Sequence, residues 1–229
     1  SVFEVNYTEI GNSNDWAGKA NQGNSDIIML GARGLKDPNN VYVEGWGFAP
    51  VTKALNDAFL PDDPRKWTTI IDHEEFRAEG GTISSDVNQY TGYSVRKYHP
   101  RAGYSSTVGT EALNYKNNYR VIRFSDILLM ASEALLRSGG SVGEAQDYYA
   151  RVVKRAMGDD YKVPTVSLDN IYKERRYEFA MEGIRYWDLV RTNQAKDFIK
   201  GWDDTKKYLP IPQSEIDKSD GHLVQNPHF

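Results

Sequence analysis

The chain has 229 residues, a formal net charge of -4 at pH 7 and a pI near 5.6, and its length suits one large domain or two small ones. The acidic balance excludes a broad basic surface for nucleic acid or an anionic membrane. Cysteine is absent, which excludes disulfides, thiolate metal sites and cysteine nucleophiles. No apolar stretch approaches the roughly 20 residues that span a bilayer, and the first residues lack the pattern of a signal peptide.

The first fifty residues are predicted to be mostly loop. Alternating apolar and polar side chains predict a short strand within residues 2–7. Residues 11–25 are rich in Gly, Asn and Ser, a loop composition that surrounds Trp16. The apolar run 27–30 is predicted to be a short strand, and further aromatic residues follow among glycines in residues 42–48.

The next segment mixes a helix with strands. Residues 52–59 predict a short helix, which the prolines and aspartates of residues 61–65 stop in a turn. Residues 66–72 and 93–98 have the composition of strands, with a hairpin or insertion between them. Residues 101–118 are predicted to be loop.

A helical hairpin is predicted next. One helical face from residue 122 carries apolar side chains at helical spacing, namely Phe124, Ile127, Leu128, Ala131, Ala134 and Leu135. Gly139 and Gly140 end this helix, and Ser141 with Glu144 forms a capping box that opens the next. Two antiparallel helices with a short connection resemble one tetratricopeptide hairpin, although a single copy is not a repeat array.

Residues 167–200 are predicted to form one further helix. Ser167 is a capping residue, the segment contains no proline, and apolar side chains recur near the helical spacing. Charged side chains fall close to the same face, three or four residues apart; they are Arg175, Glu178, Glu182, Arg185, Asp188 and Arg191. These charges cannot all face solvent.

Glu178 and Glu182 allow two interpretations. They could be the general acid and general base of an enzyme. Alternatively, each carboxylate is neutralised by an arginine, because like charges four residues apart destabilise a helix unless each meets a cation. We favour the second interpretation, since structural ion networks also hold such carboxylates. We therefore predict that both glutamates are partly buried and paired with arginines.

Three motifs resemble one protein family. The run ERRYEFAMEGIRYWDLVR (174–191) is similar to the ER-x-x-E-x-x-x-EG-x-R-x-x-DL-x-R signature of SusD/RagB proteins. YRVIRFSDILLMASEALL (119–136) is similar to their "iRyaDvlLm-AEA" helix, and YLPIPQSEI with LVQNP (208–227) is similar to their closing "PIP-x-x-EI…QNP". Because the motifs follow the family's order, the chain is identified as a member of the SusD/RagB family, the surface glycan-binding lipoproteins of Bacteroidetes.

The resemblance implies a mostly helical α+β protein in which residues 1–229 form a single C-terminal domain. Within it we expect a loop- and strand-rich ligand face (1–118), a helical part (119–200) and an extended wrapping tail (201–229). The resemblance also implies glycan binding at the outward-facing surface of the outer membrane, delivery to a SusC-like TonB-dependent transporter, and no catalysis. The family's lipobox and N-terminal helical repeats are missing, so we expect a piece of a longer, lipid-anchored protein.

Aromatic side chains in loops are the candidate glycan site. Sugar rings present C–H faces that stack on indole and phenol rings, while polar neighbours bond the hydroxyl groups. Trp16 has this setting, because Asn14 and Asp15 precede it in a loop without apolar periodicity. Trp46 and Tyr42 are the next candidates. We predict that these five residues contribute to the site and that Trp16 lies on the surface.

Neither a metal nor a cofactor is predicted. The four histidines are widely spaced, lack the i, i+4 pair of a helical zinc site and are expected at the surface; they are His73, His99, His222 and His228. No nucleophile elbow, P-loop or dinucleotide fingerprint occurs. Two other classes stay open. A glycoside hydrolase would need two carboxylates about 5 to 9.5 Å apart across a cleft, and a helical-repeat adaptor would need further helix pairs that form a concave groove.

Overall fold

The computed structural model describes residues 1–10, 16 and 22–229. Helices dominate these residues and the strands are short, which confirms the predicted mostly helical α+β class. The strands are β1 (Phe3–Val5), β2 (Ile70–Asp72), β3 (Tyr93–Val95) and β4 (Tyr119–Ile122). The helices are α1 (Asp26–Leu30), α2 (Lys53–Asn56), α3 (Pro64–Thr69), α4 (His73–Ala78), α5 (Phe124–Ser138), α6 (Val142–Met157), α7 (Leu168–Glu178), α8 (Arg185–Arg191), α9 (Ala195–Phe198) and α10 (Gln213–Lys218), with 3-10 turns at Glu111–Leu113 and Asp204–Lys207.

The chain contains two compact units, residues 1–181 and 182–229. The boundary falls inside the segment 119–200 that we predicted as one helical part. The single domain over residues 1–229 stays a prediction. None of the helices in the described ranges is long and apolar enough to cross a membrane.

Two small antiparallel sheets tie distant parts of the first unit together. Strand β1 pairs with β4, so that the first described residues lie beside residues 119–122, and β2 pairs with β3. The loops between these strands pack around small apolar clusters. One cluster is Ala32, Leu35, Ile71, Phe76 and Ile83; another is Val51, Phe59, Ile70, Val95 and Ala180; a third is Ile27, Ile28 and Tyr115.

The predicted helical hairpin is confirmed by α5 and α6. Helix α5 ends at Gly139, whose φ of 72° is a left-handed conformation that glycine adopts without strain. Ser141 caps α6 by accepting a hydrogen bond from the Glu144 N–H at 3.2 Å. The predicted apolar face of α5 is partly wrong, because Phe124 and Ile127 are exposed, whereas the buried side chains are Leu128, Leu129, Ser132 and Glu133.

Two predicted strands are helices instead. Residues 27–30 belong to α1, which begins where the Asn24 side chain accepts a hydrogen bond from the Asp26 N–H at 3.0 Å. Of the strand predicted at 66–72, only β2 is extended, and the preceding residues belong to α3. That helix starts because Asp63 caps it and Pro64 occupies its first turn. A short apolar or mixed run does not distinguish helix from strand, whereas a capping residue such as Asp63 does.

The single helix predicted over residues 167–200 is also wrong. Helix α7 ends at Glu178 and α8 begins at Arg185. Between them Met181 and Gly183 have φ values of 63° and 80°, which a right-handed helix cannot accommodate. Glycine in this segment was the signal for the break.

The second unit comprises short helices and a folded-back end. The Gln225 side chain accepts a hydrogen bond from the Ile211 N–H at 2.8 Å and donates one to the Ile211 carbonyl at 2.9 Å. The Asn226 side chain donates to the Leu209 carbonyl at 2.7 Å. The tail predicted as extended over residues 201–229 is therefore extended only in part, since it contains a 3-10 turn and α10.

Candidate functional site

Two of the predicted site residues form an aromatic stack. The Trp16 and Trp46 rings lie nearly parallel, with centroids 5.5 Å apart and planes inclined by 20°. Phe48 meets Trp46 edge-on at 6.2 Å. Trp16 is 63% exposed, which confirms its predicted surface position, and Trp46 is half-buried. Asn14 and Asp15 lie outside the described residues. We call Trp16, Trp46 and Phe48 the aromatic site.

Backbone hydrogen bonds hold the loop that carries Trp46 and Phe48. The last carbonyls of a helix lack partners within the helix, and here the loop supplies them. The Trp46 N–H donates to the Ile28 carbonyl at 2.8 Å, and the Phe48 N–H donates to the Met29 carbonyl at 2.8 Å. The Gly45 N–H and Gly47 N–H donate to the next carbonyls along the chain, those of Ala32 and Gly31, at 2.9 and 2.7 Å. The loop is therefore fixed to the end of α1.

Glycine permits this close approach. A Cβ atom at Gly45 would lie 2.4 Å from the Gly31 Cα, and a Cβ atom at Gly31 would lie 2.4 Å from Pro100 Cδ. Neither distance is compatible with van der Waals contact, and the first involves backbone that cannot rotate away. The glycines that surround Trp46 are consequently required to bring its loop against α1.

The base of the Trp46 ring is supported by the core. Trp46 packs against the cluster of Ile27, Ile28 and Tyr115, of which Tyr115 is only 2% exposed. Trp16 covers Trp46 from the other direction. Because Trp46 is held on one side and covered on the other, Trp16 and Phe48 offer the more exposed aromatic surface for a ligand.

A pocket with polar side chains lies beside the aromatic site. It has a volume of about 460 Å³ and is lined by Arg33, Glu44, Gly45, Trp46 and Phe48. Sequence reasoning selected Trp46 but not Arg33, Glu44 or Phe48. The local sequence Glu44-Gly-Trp-Gly-Phe48 was a usable signal, since it places an acid and two aromatic rings on a glycine-rich segment. Arg33 offered no comparable signal, because it lies outside this segment, more than ten residues before Trp46.

Buried His99 joins the supporting loops. Its Nε2 accepts a hydrogen bond from the Ala32 N–H at 2.9 Å, so its Nδ1 carries the proton and donates to the Pro100 carbonyl at 3.1 Å. Burial lowers the pKa of His99 to about 4, and the nearby Arg101 and Arg96 act in the same direction. The surface position predicted for His99 is therefore wrong: the imidazole is a neutral structural link beneath the site.

Tyr42 lies in a different environment from the two tryptophans. Its ring meets His99 edge-on at 5.1 Å, and the guanidinium groups of Arg96 and Arg101 lie 5.9 and 5.6 Å from its centroid. It packs against the cluster that contains Ile71. Tyr42 does not line the pocket beside Trp46, and its role in glycan binding stays a prediction.

His73 is also buried, contrary to the predicted surface position. Its Nε2 lies 2.5 Å from the Ser94 hydroxyl oxygen, and its Nδ1 has no hydrogen-bond partner among the described residues. Burial lowers its pKa to about 4. The adjoining cavity of about 20 Å³ has room for about one water molecule, so this pair does not face a ligand-sized space. His222 and His228 are exposed as predicted.

Residues 70–207 match the SusD family. The chain belongs to the SusD family. The SusD-like protein P2 of Formosa agariphila is 24% identical over 88% of this chain and 44% of its own length. A second SusD-like protein, from Bacteroides ovatus, is 32% identical over 34% of this chain and 14% of its own length.

Solved structures of SusD-like proteins are similar over the whole chain. A laminarin-binding SusD-like protein has 36% identity and a TM-score of 0.86, covering 100% of this chain and 50% of its own. Surface glycan-binding protein A from Bacteroides thetaiotaomicron, in complex with laminarihexaose, has 33% identity and a TM-score of 0.83. The match covers 99% of this chain and 51% of that protein's chain. The chain therefore spans about half the length of these SusD-like relatives.

The SusD signature segment forms a buried ion network around Glu178. Glu178 is 3% exposed, and its carboxylate binds Arg123 at 2.7 Å, Arg65 at 3.2 Å and, closer still, Arg155. The Glu178 carbonyl accepts further hydrogen bonds from Arg123 at 2.8 Å and Lys97 at 3.2 Å. Pairing of Glu178 with arginines is confirmed, but the three arginines come from outside its own helix.

Neighbouring carboxylates share the same arginines. Arg65 also binds Glu174 at 2.5 Å and Asp63 at 2.8 Å. Burial raises the pKa of Glu174, and Arg65 offsets this only in part, so the net shift is upward. For Glu178 burial also raises the pKa, but Arg123, Arg155 and Arg65 together outweigh it, so the net shift is downward.

Other charged residues that were predicted close to this helical face have different surroundings. Arg175 binds Asp126 of α5 at 2.6 Å. Asp188 and Arg191 pair at 2.8 Å within α8, at the predicted interval of three. Glu182 is buried, as predicted.

Proposed function

We propose that this SusD family member binds a β-1,3-linked glucan of the laminarin type at the aromatic site and its adjoining pocket. The observation that carries the proposal is the stack of Trp16 on Trp46, with Trp16 63% exposed. A large exposed aromatic surface on a fixed support is costly to leave in water unless it serves recognition. Similar SusD-like structures are a laminarin-binding protein and a complex with laminarihexaose.

The arrangement suits a pyranose chain. Flat apolar rings match the C–H faces of the sugar, and the polar side chains beside them match its hydroxyl groups. The fixed loop behind Trp46 means that little side-chain freedom is lost on binding, which favours affinity. The predicted contributions of Tyr42, Asn14 and Asp15 remain part of the proposal.

Binding without cleavage is the second part of the proposal. Hydrolysis of a glycosidic bond normally requires two carboxylates across a cleft. Among the described residues that line the pocket, Glu44 is the one acid. Glu174 and Glu178 are buried in ion pairs with arginines. This burial favours a structural role for them over a role as general acid and general base.

The cellular role is the third part of the proposal, and membership in the SusD family supports it. We propose that the protein, held by a lipid anchor, captures the glycan at the outward-facing surface of the outer membrane and delivers it to a SusC-like TonB-dependent transporter. The long helices α5 and α6 form one hairpin, whereas a helical-repeat groove needs several stacked pairs, so an adaptor of that kind is less well supported.

Isothermal titration with laminarihexaose tests the proposal. We expect binding by the wild-type protein and a loss of about 5- to 30-fold in affinity for Trp46→Ala, which corresponds to about 1 to 2 kcal/mol of stacking and support. Trp67→Ala is the control, because Trp67 is a tryptophan on α3 that does not line the pocket, and its affinity should equal that of wild type. Absence of binding by wild type, or equal losses in both variants, would contradict the proposal. Release of reducing ends from laminarin would contradict the non-catalytic part.

A further inference from the structure

We infer that Arg33 and Glu44 determine the specificity of the aromatic site, reading the hydroxyl groups of a neutral sugar and rejecting acidic sugars. This inference rests on the proposed function and deepens it. Both side chains line the pocket of about 460 Å³ that Trp46 and Phe48 also line. A sugar ring stacked on the aromatic surface would project its equatorial hydroxyl groups towards such flanking polar groups.

Arg33 supplies hydrogen-bond donors. Its backbone is held because its carbonyl accepts a hydrogen bond from the Ser84 N–H at 3.1 Å. Its Cβ lies 3.2 Å from the place that a Cβ atom at Gly47 would occupy, so the start of the side chain packs against the Trp46 loop. The guanidinium forms no ion pair with any residue in the described ranges. Its five N–H groups are thus available to sugar oxygens.

Glu44 supplies acceptors in a fixed position. Its Oε1 accepts a hydrogen bond from the Gly34 N–H at 2.7 Å. Gly34 has a φ of 67°, a left-handed turn that directs this N–H, and a Cβ atom there would lie 2.7 Å from the Ser84 Cβ. The second carboxylate oxygen accepts no hydrogen bond from the described residues and can take a sugar O–H. The Oε1 atom therefore orients the Glu44 carboxylate, and the other oxygen accepts a hydrogen bond from a ligand hydroxyl group.

The combination selects against negative charge on the ligand. A neutral hydroxyl both donates and accepts, so it can satisfy the carboxylate and the guanidinium at once. A carboxylate or sulfate group on the ligand can accept from Arg33, but it cannot donate to Glu44 and would lie beside another negative charge. Such a like-charge contact is an effective way to discriminate between ligands that share the same ring shape.

The test is a titration of wild type and two variants with laminarihexaose and with oxidised laminarihexaose, in which the C6 hydroxyl groups are converted to carboxylates. We expect wild type to bind only laminarihexaose. Arg33→Ala should lose about tenfold or more in affinity for laminarihexaose, as expected when a charged hydrogen-bond donor is removed. Glu44→Gln, which keeps an acceptor for Gly34, should lose less and should gain measurable affinity for oxidised laminarihexaose. Arg120→Ala and Glu79→Gln are matched controls on exposed residues away from the pocket.

The outcomes separate this inference from the proposed function. If wild type and the controls bind laminarihexaose, Trp46→Ala loses it, and Arg33→Ala and Glu44→Gln keep full affinity, the inference is wrong and the function stands. Binding of oxidised laminarihexaose by wild type as tightly as laminarihexaose also overturns the inference. If wild type binds neither hexasaccharide, the proposed function itself fails. Melting temperatures of Arg33→Ala and Glu44→Gln, expected to equal that of wild type, exclude unfolding as the cause of any loss.

Discussion

The ion network around Glu178 and the aromatic site reverse the usual distribution of side chains. In the network, charged groups are removed from water: Glu178 is 3% exposed and Arg65 binds three carboxylates. In the aromatic site, large apolar rings remain in water, with Trp16 at 63% exposure. Most proteins bury the apolar group and expose the charge. Each reversal is costly, so each indicates a specific role.

The two regions differ in what their side chains contact. Glu178 joins α3, α6 and α7 through Arg65 and Arg155, so its contacts lie within the protein. The exposed face of Trp16 has no such covering, while backbone hydrogen bonds fix the loop beneath it. We therefore expect stability and binding to reside in separate sets of residues, which substitutions should separate.

The largest effect is expected from Glu178→Gln. The substitution leaves three arginines without their shared counter-charge, and breaking a buried ion pair in this way costs about 3 to 5 kcal/mol. The free energy of unfolding, measured in urea, should fall by that amount, while the folded fraction keeps its affinity for laminarihexaose. Glu79→Gln, a surface glutamate, is the control and should change neither quantity. Unchanged stability of Glu178→Gln would break the comparison.

Acidification should act through the two buried histidines. Their pKa values lie at about 4 in the folded chain and at the ordinary value near 6.5 when unfolded. The unfolded chain therefore binds more protons between about pH 4 and pH 6.5, so the free energy of unfolding decreases as the pH falls through that window. The decrease is on the order of 3 kcal/mol for each histidine.

The contribution of His99 can be isolated with His99→Gln, whose amide oxygen can still accept from the Ala32 N–H. This variant should lose part of the acid dependence, as measured by urea unfolding at pH 4.5 and pH 7. His222→Gln, at an exposed histidine, is the control and should keep the whole dependence. Identical pH profiles for all three proteins would show that His99 is not buried as a neutral group.

Gly45→Ala is expected to lower both the stability and the glycan affinity, with a smaller effect on stability than Glu178→Gln. The new methyl group would overlap the Gly31 backbone, and overpacking of this kind costs about 1 to 3 kcal/mol. Because the Trp46 loop must move, affinity for laminarihexaose should also fall. Gly143→Ala in α6 is a useful comparison, since a Cβ atom there would meet only the Ser141 hydroxyl at 3.9 Å and this glycine does not have a positive φ. An unaltered affinity of Gly45→Ala would mean that the loop is less fixed than its hydrogen bonds indicate.

Local signals made part of this architecture predictable. Ser141 and Gly139 mark the ends of the α5–α6 hairpin because capping depends on a few adjacent residues. The charge spacing on α7 predicted that Glu178 meets arginines. The same reasoning missed α1, because four apolar residues carry no period and the turn in which Asn24 accepts from the Asp26 N–H was not recognised.

Long-range partners were beyond sequence reasoning. Arg65 and Arg123 are 113 and 55 residues from Glu178, and no local pattern identifies them. The aromatic site was predicted as separate residues, but the stack of Trp16 on Trp46 and the position of Arg33 depend on how the loops close on α1. The burial of His99 depends on the same closure, which is why its surface position was wrongly predicted.

The most direct test of the central claim is the thermal unfolding of wild type and Trp16→Ala, each with and without laminarihexaose. A ligand that binds only the folded protein raises the melting temperature in proportion to RT ln(1 + [L]/Kd). Without ligand, we predict equal melting temperatures for the two proteins, because truncating an exposed side chain leaves no cavity. When ligand is added, we predict a large rise in the melting temperature of wild type and a much smaller rise for Trp16→Ala. A lower melting temperature of Trp16→Ala without ligand, or an equal rise in both proteins, would contradict the separation of binding from stability.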